Sequence, residues 1–309
     1  MCSATKARLP DEFLDTWGII RRDDGGLWVL PIGVMGDEMN GSRTDPCIPH
    51  QYKKTPPLTF RLVNRLLLIQ ELTGSFCLHH VAGGRRKKRQ RRRRSPVKLM
   101  FAPRWWHPYG PIGRIEEDTL VWREDMSAFF LDHVRRDLVR RVMKASDFVK
   151  GSNVKRCVWT ELPSSFSGSS IEEALKQVQP FDRIECGVVM VLSSDGSNSS
   201  LGKSSSIASR FSSFLARLWL PYARRKTHFS SSITVSSIFP DFVTLPHTQS
   251  KVPVIDLSVL LSPVELDQLR NHHPRFTKSM LFLRPDDPVT VDAVLALWRF
   301  KGLFMYDVP

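Results

Sequence analysis

The sequence predicts an α+β fold, and three observations carry that reading. Long stretches place apolar residues at helical spacing, as between Met126 and Val142. Short continuous apolar runs, such as "CGVVMVL" at 186–192, read as buried strands. Helices and strands do not alternate in the regular order that builds a parallel sheet. With 309 residues, 41% of them hydrophobic and 10% aromatic, the chain has enough apolar mass for one large or two modest domains.

Residues 1–82 read as a loop-rich N-terminal region holding one core helix. "LWVLPIGV" (27–34) is a strand whose Pro31 suggests an edge or a bulge. A buried helix is expected over 58–73, because Leu62, Val63, Leu66, Leu67 and Ile69 recur at helical spacing and Gly74 suits the residue after a helix end. The same leucines resemble an export signal, but a core helix accounts for them more simply. Residues 83–98 form a basic segment without apolar periodicity, expected to be a solvated loop that orders on a partner. Residues 99–163 combine an irregular aromatic stretch, "FAPRWWHPYGPIG", with a long amphipathic helix over 124–145. Met126, Phe130, Val134, Leu138 and Val142 mark its apolar face, and Glu124, Asp125 and Lys144 suit its dipole.

"SSFSGSS" (164–170) reads as a linker, with the α+β C-terminal region running from 164 to 309. It should hold a helix near 170–178, the strand 186–192, a Ser/Gly loop (193–206), an amphipathic helix (207–220) and strands at 231–239 and 252–256. Ser262-Pro263-Val264-Glu265 has the pattern of a capping box with Pro at the first helical position. A last helix is expected over 290–301, stopping at Gly302.

The charge is concentrated. Of the net +14, nine charges come from Arg85, Arg86, Lys87, Lys88, Arg89, Arg91, Arg92, Arg93 and Arg94, interrupted only by Gln90. Such a block neutralises several phosphates at once, releasing their counterions. Arginine adds bidentate geometry to phosphate and planes that stack on unpaired bases. The run is similar in composition, over about ten residues, to the arginine-rich segments of lentiviral transactivators, which bind RNA and enter the nucleolus. It also suits recognition by the nuclear import machinery, either alone or beside nucleic-acid binding. Arg135, Arg136, Arg140 and Arg141 on the long helix would extend the basic surface. Ser95-Pro96-Val97-Lys98 resembles a site preferred by cyclin-dependent kinases. A phosphate on Ser95 would set negative charge beside the arginines and mask them.

Cys47-x2-His50 and Cys77-x2-His80 are two pairs whose four ligands would suit a structural Zn2+. The five cysteines are an odd number in a long chain, which speaks against a disulfide framework. Gly202-Lys203-Ser204 follows an apolar strand as a phosphate-binding loop would. Its glycines, Gly196 and Gly202, are separated by five residues where the motif needs four, so a nucleotide triphosphatase is a weak reading. Lys203, Arg210, Arg217 and Arg224 recur at seven-residue intervals along and just after the helix 203–220, around its apolar side. That pattern suits a surface helix or one lying on an anionic membrane. "RWWHPY" (104–109) would offer stacking platforms for bases or anchor a loop. No nucleophile, base and orienting group assemble in sequence, so a non-enzyme is expected. The N-terminus lacks the apolar core of a secretory signal, and no run reaches the length of a membrane span.

These readings converge on a nuclear or nucleolar nucleic-acid-binding protein, with RNA the expected partner, from a eukaryote or a virus that enters its nucleus. It would be regulatory or accessory. The alternative is an interaction or membrane-surface protein, with the basic run as an import signal or lipid contact and helix 203–220 as the working element.

Overall fold

The computed structural model describes residues 2–5, 8–21, 26–35, 58–81, 106–107, 110–111, 120–151, 158–162, 168–176, 186–192 and 239–304. A 3-10 turn, Asp11–Phe13, leads into β1 (Leu14–Arg21). β1 pairs antiparallel with β2 (Leu27–Leu30) on one side and β3 (Leu58–Val63) on the other. α1 (Leu66–Val81) follows. β4 (Trp106–His107) and β5 (Gly110–Pro111) form a two-stranded ladder. β6 (Leu120–Val121) joins β2 in parallel and completes a four-stranded sheet of order β3-β1-β2-β6.

α2 (Met126–Gly151) leads to β7 (Trp159–Leu162), α3 (Gly168–Lys176) and β8 (Val188–Val191). Then come β9 (Phe242–Thr244), β10 (Lys251–Asp256), α4 (Leu257–Leu260), α5 (Pro263–His272), β11 (Met280–Leu283) and α6 (Pro288–Phe304). The second sheet has the order β7-β11-β8-β10-β9, with only β8 and β10 parallel. The fold is α+β. β7 lies on the N-terminal side of the 164–170 stretch and pairs with β11 across it.

Several elements differ from the sequence expectation. The helix expected over 58–73 divides into β3 and α1. In β3, Thr59 and Arg61 are exposed while Phe60 and Leu62 are buried, a period of two that the neighbouring leucines obscured. Gly74 stands inside α1 rather than after its end. Part of the aromatic stretch forms the β4–β5 ladder. The last helix passes through Gly302 to Phe304. At its start Asp287 accepts from the backbone N–H of Val289 (2.7 Å) and Thr290 (3.0 Å), so the cap sits ahead of the expected start. The box before α5 forms as read: Ser262 Oγ accepts from the Glu265 N–H, and Glu265 Oε2 accepts from the Ser262 N–H at 2.7 Å. The loop 193–206, helix 207–220 and all of strand 231–239 but Phe239 lie outside the described residues.

The second sheet is covered on both faces, which explains why β8 and β11 are apolar throughout. Val188, Met190, Ile255, Leu281 and Leu283 face the cluster that includes α2, α5 and α6. Val189, Val191, Val252, Val254, Met280 and Phe282 face Ile171, Ala174 and Leu175 of α3. In the first sheet Trp17 stacks on Trp122 (5.2 Å between centroids) and on Phe130 of α2 (5.7 Å), locking sheet to helix. Gly187 is required where it stands, since a Cβ there would sit 2.7 Å from the Phe282 ring.

The turn joining β9 to β10 holds Gln249 at φ 57°, the left-handed region that costs a side chain about 1–2 kcal/mol. Gln249→Gly should therefore raise stability by about 0.5–1 kcal/mol after its own chain entropy is counted. Gln249→Val should lower it. Urea midpoints with unchanged slope are the readout.

Candidate functional site

The basic run Arg85–Arg94, Ser95, Cys47, His50 and Gly202-Lys203-Ser204 lie outside the described residues. The backbone of Cys77 and His80 is in α1, and their side chains are outside the description. Among the described residues no group of three or more His, Cys, Asp or Glu is placed to hold a metal, and no helix is long and apolar enough to cross a membrane. What the fold does establish is where the segment bearing the run is attached. In the chain α1 precedes it, and β4, β5 and β6 follow it before Trp122. Trp122 Nε1 donates to Thr73 Oγ1 of α1 at 2.9 Å, and that hydroxyl donates to the Ile69 carbonyl at 2.7 Å. The run thus falls, in the chain, between two residues that are hydrogen-bonded to each other.

The four arginines of α2 are all engaged within the fold. Arg135 Nε donates to the Leu260 carbonyl at 2.8 Å. Arg136 pairs with Asp132 one turn earlier, and Arg140 with Asp137. Arg141 pairs with Asp137 at 2.7 Å and with Asp292 of α6. Arg136 and Arg140 remain about half exposed, and exposed pairs contribute only about 0–1 kcal/mol, so a phosphate would compete for these two. Arg135 and Arg141 instead hold α2 to α4 and α6.

Under this charged face lies a buried carboxyl that sequence patterning missed. Asp15 sits on β1 with one carboxylate oxygen buried and unpartnered among the described residues, and the Arg299 Nε of α6 is in the same state. Burial pushes the Asp15 carboxyl up to about 7; the Arg299 guanidinium pulls it down, and the Asp137 carboxylate pushes it up. One aspartate in a strand gives no signal of this, because the environment comes from two helices more than a hundred residues away.

A cleft of about 320 Å³ opens where the ends of the two sheets meet α6. Phe13 comes from the 3-10 turn before β1, Val63 from the end of β3, Phe242 from β9, Pro253 from β10, and Trp298 and Lys301 from α6. Burial lowers the pKa of the Lys301 ammonium, while the hydrogen bond and charge of Asp241 oppose the shift. Its donors go to the carbonyls of Asp241 and Val254, each at 2.7 Å, and to the Asp241 carboxylate at 2.9 Å. Trp298 Nε1 donates to the Gly187 carbonyl at 3.4 Å. The sequence signal was a lysine near the end of a mostly apolar helix.

The Asp15 carboxyl titrates near 7 when folded and near 3.8 as an ordinary carboxyl. The folded chain therefore holds the extra proton between these values, and stability falls as pH rises through that window. Asp15→Asn should flatten that fall and be the more stable form at pH 8, by about 1.4 kcal/mol per pKa unit relieved. Urea denaturation at pH 5 and pH 8 measures it. An unchanged difference between the two pH values would show that Asp15 is not the titrating group.

No family model, curated protein or solved structure matches the chain.

Proposed function

We propose that the chain is a nuclear, nucleolar nucleic-acid-binding protein that prefers RNA and acts through Arg85–Arg94 in a regulatory or accessory role. The observation that carries this reading is the density of cations: nine of ten consecutive residues are Lys or Arg. A segment of that kind binds phosphate chains through charge, with little sequence discrimination, and its arginines stack on unpaired bases. Attachment supports the reading. The Thr73–Trp122 hydrogen bond ties together two points of the folded body between which the run lies in the chain. Arg136 and Arg140 lie on the solvent side of α2, where a long RNA would add contacts by displacing Asp132 and Asp137. A phosphate on Ser95 would weaken binding by occupying neighbouring arginines.

Replacing residues 85–94 with Gly and Ser should lower affinity for single-stranded RNA by a factor of a hundred or more at low salt. The parent should show a slope of log K against log salt of roughly −6 for nine contacts, and the variant a slope near zero. Unchanged RNA affinity would overturn the reading. If the variant lost only nuclear accumulation in a fluorescent fusion, the run would be an address, and RNA binding would lie elsewhere or be absent.

A further inference from the structure

We propose that Asp15 is a proton-operated junction: losing its proton loosens the seat of the C-terminal part of α6 on the first sheet. Three elements meet there. Asp15 stands on β1, Arg299 on α6 and Asp137 on α2. Among the described residues these two are the charges that act on Asp15, Arg299 drawing its ionised form and Asp137 repelling it. One oxygen of Asp15 and the Nε of Arg299 are buried, and neither has a hydrogen-bond partner among the described residues. Opposite charges that feel each other without a direct bond do not recover the cost of burying them.

The surroundings leave the carboxyl to these two groups. On its face of the first sheet the register sets Trp17, Phe60 and Leu62 beside it, and none of them titrates. Asp137 is itself held by Arg140 and Arg141 of α2, so those guanidiniums answer to it. Asp11, in the turn before β1, pairs with Arg61, whose place opposite Thr16 puts it on the other face.

α6 is attached unequally. Towards the second sheet Lys301 donates to two carbonyls at 2.7 Å, and towards α2 Asp292 pairs with Arg141. Towards the first sheet, the bond from Asn64 Nδ2 to the Arg299 carbonyl is long, 3.4 Å. The Asn64 N–H donates to the Phe13 carbonyl at 3.0 Å, so this one residue spans the turn before β1, the end of β3 and α6. The weakest of these attachments is thus made at Arg299, the residue whose charge acts on Asp15.

Burial raises the Asp15 carboxyl to about 7, against 3.8 for an ordinary one, so its charge changes around neutrality. Below that point the carboxyl is neutral and sits in the interface at little cost. Above it, parting α6 from β1 lets water reach both Asp15 and Arg299 and relieves the buried charge.

The test is native-state hydrogen exchange of the full chain at pH 6 and pH 8, read over residues 296–304. Protection, with the chemical rate divided out, should fall about tenfold, the factor linkage gives for a carboxyl moving between about 7 when seated and 3.8 when released. The exchange should depend little on low urea, as a local opening does. Asp15→Asn should show no fall. Arg299→Gln should move the midpoint of the fall to higher pH and Asp137→Asn to lower pH. Those opposite movements decide the matter if Asp15→Asn does not fold. Unchanged protection in the parent, an equal fall in Asp15→Asn, midpoints that do not move apart, or exchange with the urea slope of global unfolding would each overturn the proposal.

Discussion

α6 is the constraint on which the structure depends. It packs along α2, touches α1 and the turn before β1, and lies against β8 and β10 of the second sheet. Ala293, Val294, Ala296, Leu297, Phe300 and Leu303 are all buried, while Val291, Leu295 and Asp292 stay open to solvent. A helix with so much of its surface buried is held by its neighbours, because its own propensity contributes little beside the apolar area it buries. α6 therefore shares one core with β1 and with the inner face of the second sheet.

That position sets the terms for the polar groups α6 carries. A buried charge is tolerated when it is paired and hydrogen-bonded. Lys301 meets the requirement by binding two backbone carbonyls and a carboxylate, which fastens α6 to β10 and to the residue before β9. Asp292, half-exposed, pairs with Arg141 of α2. Arg299 meets it only in part: it faces the buried Asp15, and each keeps an unpartnered atom. Arg299 and Lys301 thus set these polar groups towards the C-terminal end of α6, and the cleft opens there.

A second fastening lies where α1 meets the first sheet. The buried hydrogen bond from Trp122 to Thr73 and the Trp17–Trp122 stack hold α1, β1 and the residue after β6 together.

Much of the fold was legible in the sequence where a single local rule applied. The apolar runs of β8 and β10, the face of α2 and the capping box of α5 follow from period, burial and cap chemistry within a few residues. Boundaries failed where two periods overlapped, as at Leu62 and Val63, which end a strand but resemble the start of the following helix. Gly302 failed for another reason: glycine signals a helix end only in local context, and here neighbouring strands hold the helix together through it. The sequence by itself determined the basic run, because nine adjacent cations need no partner to be seen. Only the tertiary structure decided that Asp15 faces Arg299, that the α2 arginines are paired, and that Asn64, Phe242 and Gly302 share a cleft. Those groups lie tens to hundreds of residues apart, and only packing brings them together.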